Sequence, residues 1–245
     1  MDKGRKMNND LTKCGAWYKK YFGRIIPSFG VISLISCFLV NSLIYSGTQF
    51  LMADAKHYDF TTWLDNRIPF VKWWIIIYVV CFGFWAVNYV LIVREGREKW
   101  FRFATADMLS RVICGIFFVI MPTTNCRPEV TGTGFTTMLV QFIYKMDAPT
   151  NLFPSIHCLV SWFCFVGIRK SHKIPFWYKA FSCVFALMVC ASTQFTKQHY
   201  LIDLVAGIAI AELCYALTTH TNIYRKVEGF FDRITAFVFG KEGLN

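Results

Sequence analysis

The chain has 245 residues, 55% of them apolar and only 17% charged, and its 26 Lys and Arg against 15 Asp and Glu leave a net charge of +11. An average soluble domain carries about 25% charged residues, so this chain has too little charge to coat a water-facing surface, and the same figures exclude a disordered, coiled-coil or collagen-like chain. Aromatics at 18%, with 25 Phe and 8 Trp, fit contact with lipid and anchoring at its interfaces, so the expected class is an integral membrane protein.

Residues 1–24 are polar and basic, and the first apolar run begins at Ile25. That run is too long for the core of a secretory signal and no small-residue cleavage site follows it, so it is expected to remain as a span. Apolar segments lie over residues 25–48, 70–93, 104–122, 154–169, 176–195 and 201–219, which predicts an all-α, polytopic membrane bundle of about six transmembrane helices. The first three and the fifth approach the roughly 20 residues that cross a hydrocarbon core. The fourth and sixth are shorter and begin at polar motifs. On the third, Asp107 and Arg111 stand four apart and can pair on one helix face, a structural pair near the cytoplasmic end. Beyond the sixth, Ile223, Val227, Phe230, Ile234 and Phe237 recur every three or four residues. This predicts an amphipathic helix on the cytoplasmic leaflet ending near Gly240, with an oligomer contact as the alternative. The chain divides into a basic segment over 1–24, two helices over 25–100, a core over 101–219 that carries the polar motifs, and a cytoplasmic tail over 220–245.

Taking the gaps alternately, the N-terminal segment, residues 94–102, residues 169–179 and the tail hold 19 of the 26 Lys and Arg. By the positive-inside rule both termini are cytoplasmic. The excess charge is then an orientation signal and an attraction to anionic lipid, and no basic–aromatic stripe suggests a nucleic-acid partner. The ten Cys sit mostly in apolar runs and form no C-x-x-C pair, so they read as small hydrophobes rather than a metal site or a disulfide framework. Cys126 alone is expected to face outward. Oligomeric state leaves no trace in the sequence.

The non-cytoplasmic side gathers polar residues that membrane segments rarely carry. The loop after the third span holds Arg127-Pro128, the fourth span opens with Ser155 and His157, and the sixth opens with His199 and Asp203 four apart on one face. These types suit phosphoryl transfer. Arginine presents a fork of donors to phosphate oxygens, and a helix N-terminus adds unpaired N–H groups. A histidine followed one turn later by a carboxylate is a held imidazole, one nitrogen fixed and the other free to attack. A second histidine supplies the proton that an alkoxide leaving group needs.

Pro154–His157 (PSIH) and S-x6-H-x3-D from Ser192 through His199 to Asp203 resemble the second and third signature motifs of the type 2 phosphatidic acid phosphatase/haloperoxidase superfamily, and Arg127-Pro128 is similar to the end of its first. The resemblance covers the stretch from the third span to the sixth. It implies a helical bundle with an active site near the outer surface and no metal or other cofactor. His199 would be the nucleophile, Asp203 its orienting partner and His157 the acid, while Arg127, Ser155 and Ser192 would bind phosphate oxygens. Two family cations are missing, since Ile120 and Thr193 stand where Lys and Arg are usual; Lys197 is the candidate substitute. The Ser-Thr of this third motif is also similar to the branch containing inositol phosphorylceramide synthases. Expected, then, is a multi-pass cell-membrane phosphatase acting on a lipid phosphate or pyrophosphate at the extracytoplasmic face. The alternatives are a head-group phosphotransferase using the same site, and a non-catalytic membrane protein on the same fold.

Overall fold

The computed structural model describes residues 15–240, so that residues 1–14 of the basic N-terminal segment and residues 241–245 of the tail lie outside the described residues. The chain runs through α1 (Ser28–Leu51), α2 (Trp63–Arg67), a 3-10 turn (Lys72–Trp74), α3 (Ile75–Val93), α4 (Arg97–Ile120), α5 (Phe135–Met146), α6 (Ile156–Ile168), α7 (Phe176–Phe195), α8 (Leu201–His220) and α9 (Tyr224–Phe239). Two dipeptide strands, β1 (Tyr58–Asp59) and β2 (Thr123–Thr124), pair in parallel. The architecture is the expected all-α polytopic bundle.

Among the described residues, five helices are long and apolar enough to cross a membrane: α1, α3 with its preceding turn, α4, α7 and α8. The expected span over 154–169 is instead the 13-residue α6. At 1.5 Å per residue it is about 20 Å long, short of the ~30 Å hydrocarbon core. It packs against α3, α7 and α8, and nine of its 13 residues are buried. The sixth run, expected over 201–219, is the 20-residue α8 (Leu201–His220), with the polar motif in its first turn. Two helices escaped the hydrophobicity pattern. The short α2 is nucleated by a capping box in which Thr62 accepts from the Asp65 N–H and the Asp65 carboxylate takes the Thr62 N–H. The other, α5, starts at Gly134, whose φ of +139° few other residues adopt.

The core is aromatic, with Trp100, Phe101, Phe103, Phe118 and Phe163 fully buried. Within it lies Asp107–Arg111, placed about midway along α4 rather than near its end. The two side chains are 2.6 Å apart and at most 2% exposed, and the Tyr89 hydroxyl donates to the same Asp107 oxygen at 2.7 Å. Removing one partner of such a pair would strand a buried charge, at a cost of about 3–5 kcal/mol.

The basic segments assemble at one end. Lys173 Nζ donates to the carbonyls of Arg94 and Glu95, both at 3.1 Å, joining two basic linkers. The α9 helix docks at the same end through Arg97, which pairs with Glu228 at 2.6 Å and with Asp232. Arg102 meanwhile caps the last carbonyls of α8 at Thr218 and Thr219. The tail is thus a packed helix as well as an amphipathic one: Phe231 is buried against Phe101 while Phe230 and Phe237 stay exposed. The opposite end is built from residues 52–74, 121–155 and 196–200 with the first turns of α6 and α8, and there lie Arg127, Ser155, His157, His199 and Asp203.

Candidate active site

Two helix starts meet at that end. Ser155 caps α6, its Oγ accepting from the Cys158 N–H at 3.3 Å, and its own N–H donates to the Asp203 carbonyl at 3.2 Å. The first turns of α6 and α8 are therefore bonded to each other directly. They approach this closely because position 207 on α8 is glycine: a Cβ there would stand 2.7 Å from the Ser155 carbonyl oxygen and 3.2 Å from the Leu159 nitrogen. His199, Asp203 and Gly207 follow one another at four-residue steps on the face turned toward α6.

His199 is 8% exposed in its side chain and Asp203 is fully buried. The imidazole Nδ1 lies 3.0 Å from the Leu152 carbonyl and 3.2 Å from Asp203 Oδ2, both acceptors, so Nδ1 carries the proton and donates to them. That tautomer leaves the Nε2 lone pair free for attack. The Leu152 carbonyl is placed by Thr123 of β2, whose hydroxyl oxygen takes the Leu152 and Phe153 N–H groups at 3.0 and 2.9 Å. Asp203 Oδ2 also accepts the Tyr200 N–H at 3.0 Å, which puts its charge at the N-terminus of α8. Burial alone would push the His199 pKa down, but the hydrogen bond and charge of Asp203 outweigh it and the net shift is upward from 6.5. An imidazole that attacks phosphorus must be neutral, so a nucleophilic role for His199 carries a pH signature. The acid limb of the kcat/KM profile is therefore expected above pH 6.5, activity rising as pH climbs through it. Asp203→Asn should move that limb to lower pH while slowing the reaction, which a pH–rate profile of both proteins measures.

The rings of His157 and His199 lie 5.9 Å apart between centroids at an interplanar angle of 54°. A single phosphoryl group bridges such a gap. On its far side His157 is boxed by α3, with Tyr78 stacked at 4.5 Å, Trp85 at 5.5 Å and the edge of Phe82 at 6.0 Å. On the other side, His199 lines a cleft of about 430 Å³ with Thr61, Asp65, Asn125, Arg127 and Lys197. Cys126, exposed as expected, lines it too.

The remaining sequence candidates divide. Arg127 faces the cleft, held by the Asp147 carbonyl at 2.5 Å, Gln198 Oε1 at 2.6 Å and the face of Tyr144 at 4.8 Å; its Nε is buried without a partner. Lys197 lines the same cleft at φ +53°, but its Nζ donates to the carbonyls of Asp65 at 2.7 Å and Ile68 at 2.5 Å. It anchors the loop around α2 as much as it faces a ligand, and burial lowers its pKa. Ser192 is fully buried and its hydroxyl donates to the Val189 carbonyl of its own helix at 2.7 Å. Thr193 does the same to Cys190 at 2.8 Å, while Ile120 is 74% exposed at the end of α4. The sequence reading missed Gln198, Tyr144 and Asp147, which position Arg127, and Tyr78, which covers His157. Only Gln198 had a signal, its place beside the motif histidine. Among the described residues, no group of three or more His, Cys, Asp and Glu is arranged to hold a metal ion.

A family model described as the PAP2 superfamily matches residues 50–217, which takes in every residue of this site. No curated protein and no solved structure matches the chain.

Proposed function

Since the chain belongs to the PAP2 superfamily, we propose that it is a membrane lipid phosphatase that cleaves a lipid phosphate or pyrophosphate through a phospho-histidine on His199. The observation that carries this reading is the pair of imidazoles 5.9 Å apart, one with its Nδ1 tied to Asp203 and its Nε2 free. His199 Nε2 attacks phosphorus, the bond to the leaving oxygen breaks, and that oxygen takes its electron pair and a proton from His157. A water then attacks phosphorus and gives a proton back to His157; the N–P bond breaks, restoring the Nε2 lone pair and releasing phosphate. Arg127 and the N–H groups opening α6 offset the phosphate charge.

In-line attack puts the leaving group opposite His199, toward His157 and the aromatic face of α3, where Phe82 is half exposed. That is a fitting exit for an apolar alcohol, while the polar cleft beside His199 admits water. With the basic segments at the opposite end, the positive-inside rule supports cytoplasmic termini and an extracytoplasmic site.

One observation favours a second reading, a head-group phosphotransferase in which an alcohol replaces the water. The site lacks two family cations, Arg127 spends one N–H of each Nη on protein acceptors, and Lys197 is tied to carbonyls. So sparse a set suits a singly charged phosphodiester better than a doubly charged monoester, in keeping with the Ser192-Thr193 likeness to inositol phosphorylceramide synthases. Turnover of diacylglycerol phosphate, isoprenoid pyrophosphate, phosphatidylglycerol phosphate, sphingolipid and the phosphodiester phosphatidylinositol, with and without an alcohol acceptor, separates the two. A phosphatase releases inorganic phosphate whether or not the alcohol is present. A transferase makes new lipid and releases phosphate slowly. Failure of every substrate to turn over would sink both.

A further inference from the structure

The two imidazoles are supported unequally. His199 leans on Asp203, whereas among the described residues no carboxylate touches His157. What His157 meets is the ring of Tyr78, stacked at 4.5 Å with 29° between planes. The Tyr78 hydroxyl is buried and donates to Oδ2 of Asp147 at 3.4 Å, and the other oxygen, Oδ1, takes the Tyr45 hydroxyl at 2.5 Å. Asp147 sits at the C-terminal end of α5, and three tertiary contacts hold it: two phenols on its carboxylate, and Arg127 on its carbonyl.

An acid must keep its proton until the leaving oxygen needs it, and burial works against the charged form. Burial pushes the His157 pKa well below its ordinary value; of the charges that bear most on it, those of His199, Arg111 and Arg127 add to that fall and that of Asp147 opposes it, with Tyr78 covering its face. Of these four, Asp147 alone is negative. A phenol donating to a carboxylate is also electron-rich, and a ring face of that kind attracts a cation stacked on it. We propose that Asp147, acting through the stacked ring of Tyr78, is the positioning carboxylate of His157, the counterpart of Asp203 for His199. This rests on the reading of His157 as the acid. Neither Asp147 nor Tyr78 changes protonation in the step: the proton passes from His157 to the departing oxygen as that oxygen takes the electron pair of its bond to phosphorus.

The test is Asp147→Asn in the full-length protein, which keeps the backbone carbonyl that holds Arg127. Two substrates separate the roles: dioctanoyl phosphatidic acid, whose alkoxide must be protonated, and 4-nitrophenyl phosphate, whose leaving group needs no proton. The expected result is a fall in kcat of about 10–100-fold on the lipid, a share of what general acid catalysis supplies, and a change within about 3-fold on the aryl ester. The alkaline limb of the lipid profile should move to lower pH, and Tyr78→Phe should show the same selectivity. A second readout needs no turnover: isotope-edited NMR of the His157 ring in detergent should show its titration midpoint falling in Asp147→Asn. Equal losses on both substrates, or an unmoved midpoint, overturn the assignment. If His199→Gln is inactive on both substrates in that case, only the role of Asp147 falls. If His199→Gln still turns over, the phospho-histidine reading falls with it.

Discussion

His199→Gln is expected to lower turnover of the lipid substrate by about 10⁴-fold or more, the scale seen when a nucleophile that acts as a unit with its partners is removed. Asp203 and the Leu152 carbonyl both serve Nδ1, so the surrounding groups exist to present one nitrogen, and a glutamine offers no equivalent lone pair. The substitution should leave the fold intact, because Gln can donate to the same acceptors from a side chain of similar reach. Radiolabelled lipid phosphate, quenched during turnover, should leave acid-labile, base-stable label on the wild-type chain and none on the variant. Label retained on the His199→Gln chain would show that another residue is the nucleophile.

Gly207→Ala is the second large effect, and here no chemistry is altered. The added Cβ would sit 2.7 Å from a backbone oxygen of Ser155 and 3.2 Å from the Leu159 nitrogen, neither of which can swing aside as a flexible side chain would. The helices α6 and α8 must part. Overpacking of this kind costs about 1–3 kcal/mol, and a misplacement of about 1 Å between reacting groups costs about 10²-fold in rate. The expected outcome is a folded protein with a lower Tm and a kcat reduced about 100-fold. Gly229→Ala on α9, where an added Cβ meets nothing within 4 Å, serves as the control. Unchanged kcat in Gly207→Ala would mean that the distance between the imidazoles does not limit the reaction.

Much of the site could be read because its residues cluster in short motifs. His199 and Asp203 share one helical turn, and Ser155 and His157 share another, so local periodicity places each pair without knowledge of the fold. Arg127 was legible only as a dipeptide likeness. What holds it comes from elsewhere: Asp147 lies 20 residues on and Gln198 71 residues on, and neither is marked by pattern. Lys197 is marked by its position beside the motif and does line the cleft, but only the fold shows that two carbonyls near α2 also take its ammonium. The six apolar runs gave the bundle, and the shortness of the fourth was legible in the sequence, but the helices it packs against were not.

The amino-acid sequence by itself determined that this is a membrane helical bundle and where its polar motifs begin. It also separated a strongly basic set of segments from the motif-bearing ones. Hydrophobicity, charge and helical spacing are properties of neighbouring residues, and they need no fold to be expressed. Only the tertiary structure decided which helices enclose α6, that a glycine lets two helix starts touch, and that Asp147 and Tyr78 stand behind His157. Those contacts join residues far apart in the chain, and the free energy that selects them belongs to packing among whole helices.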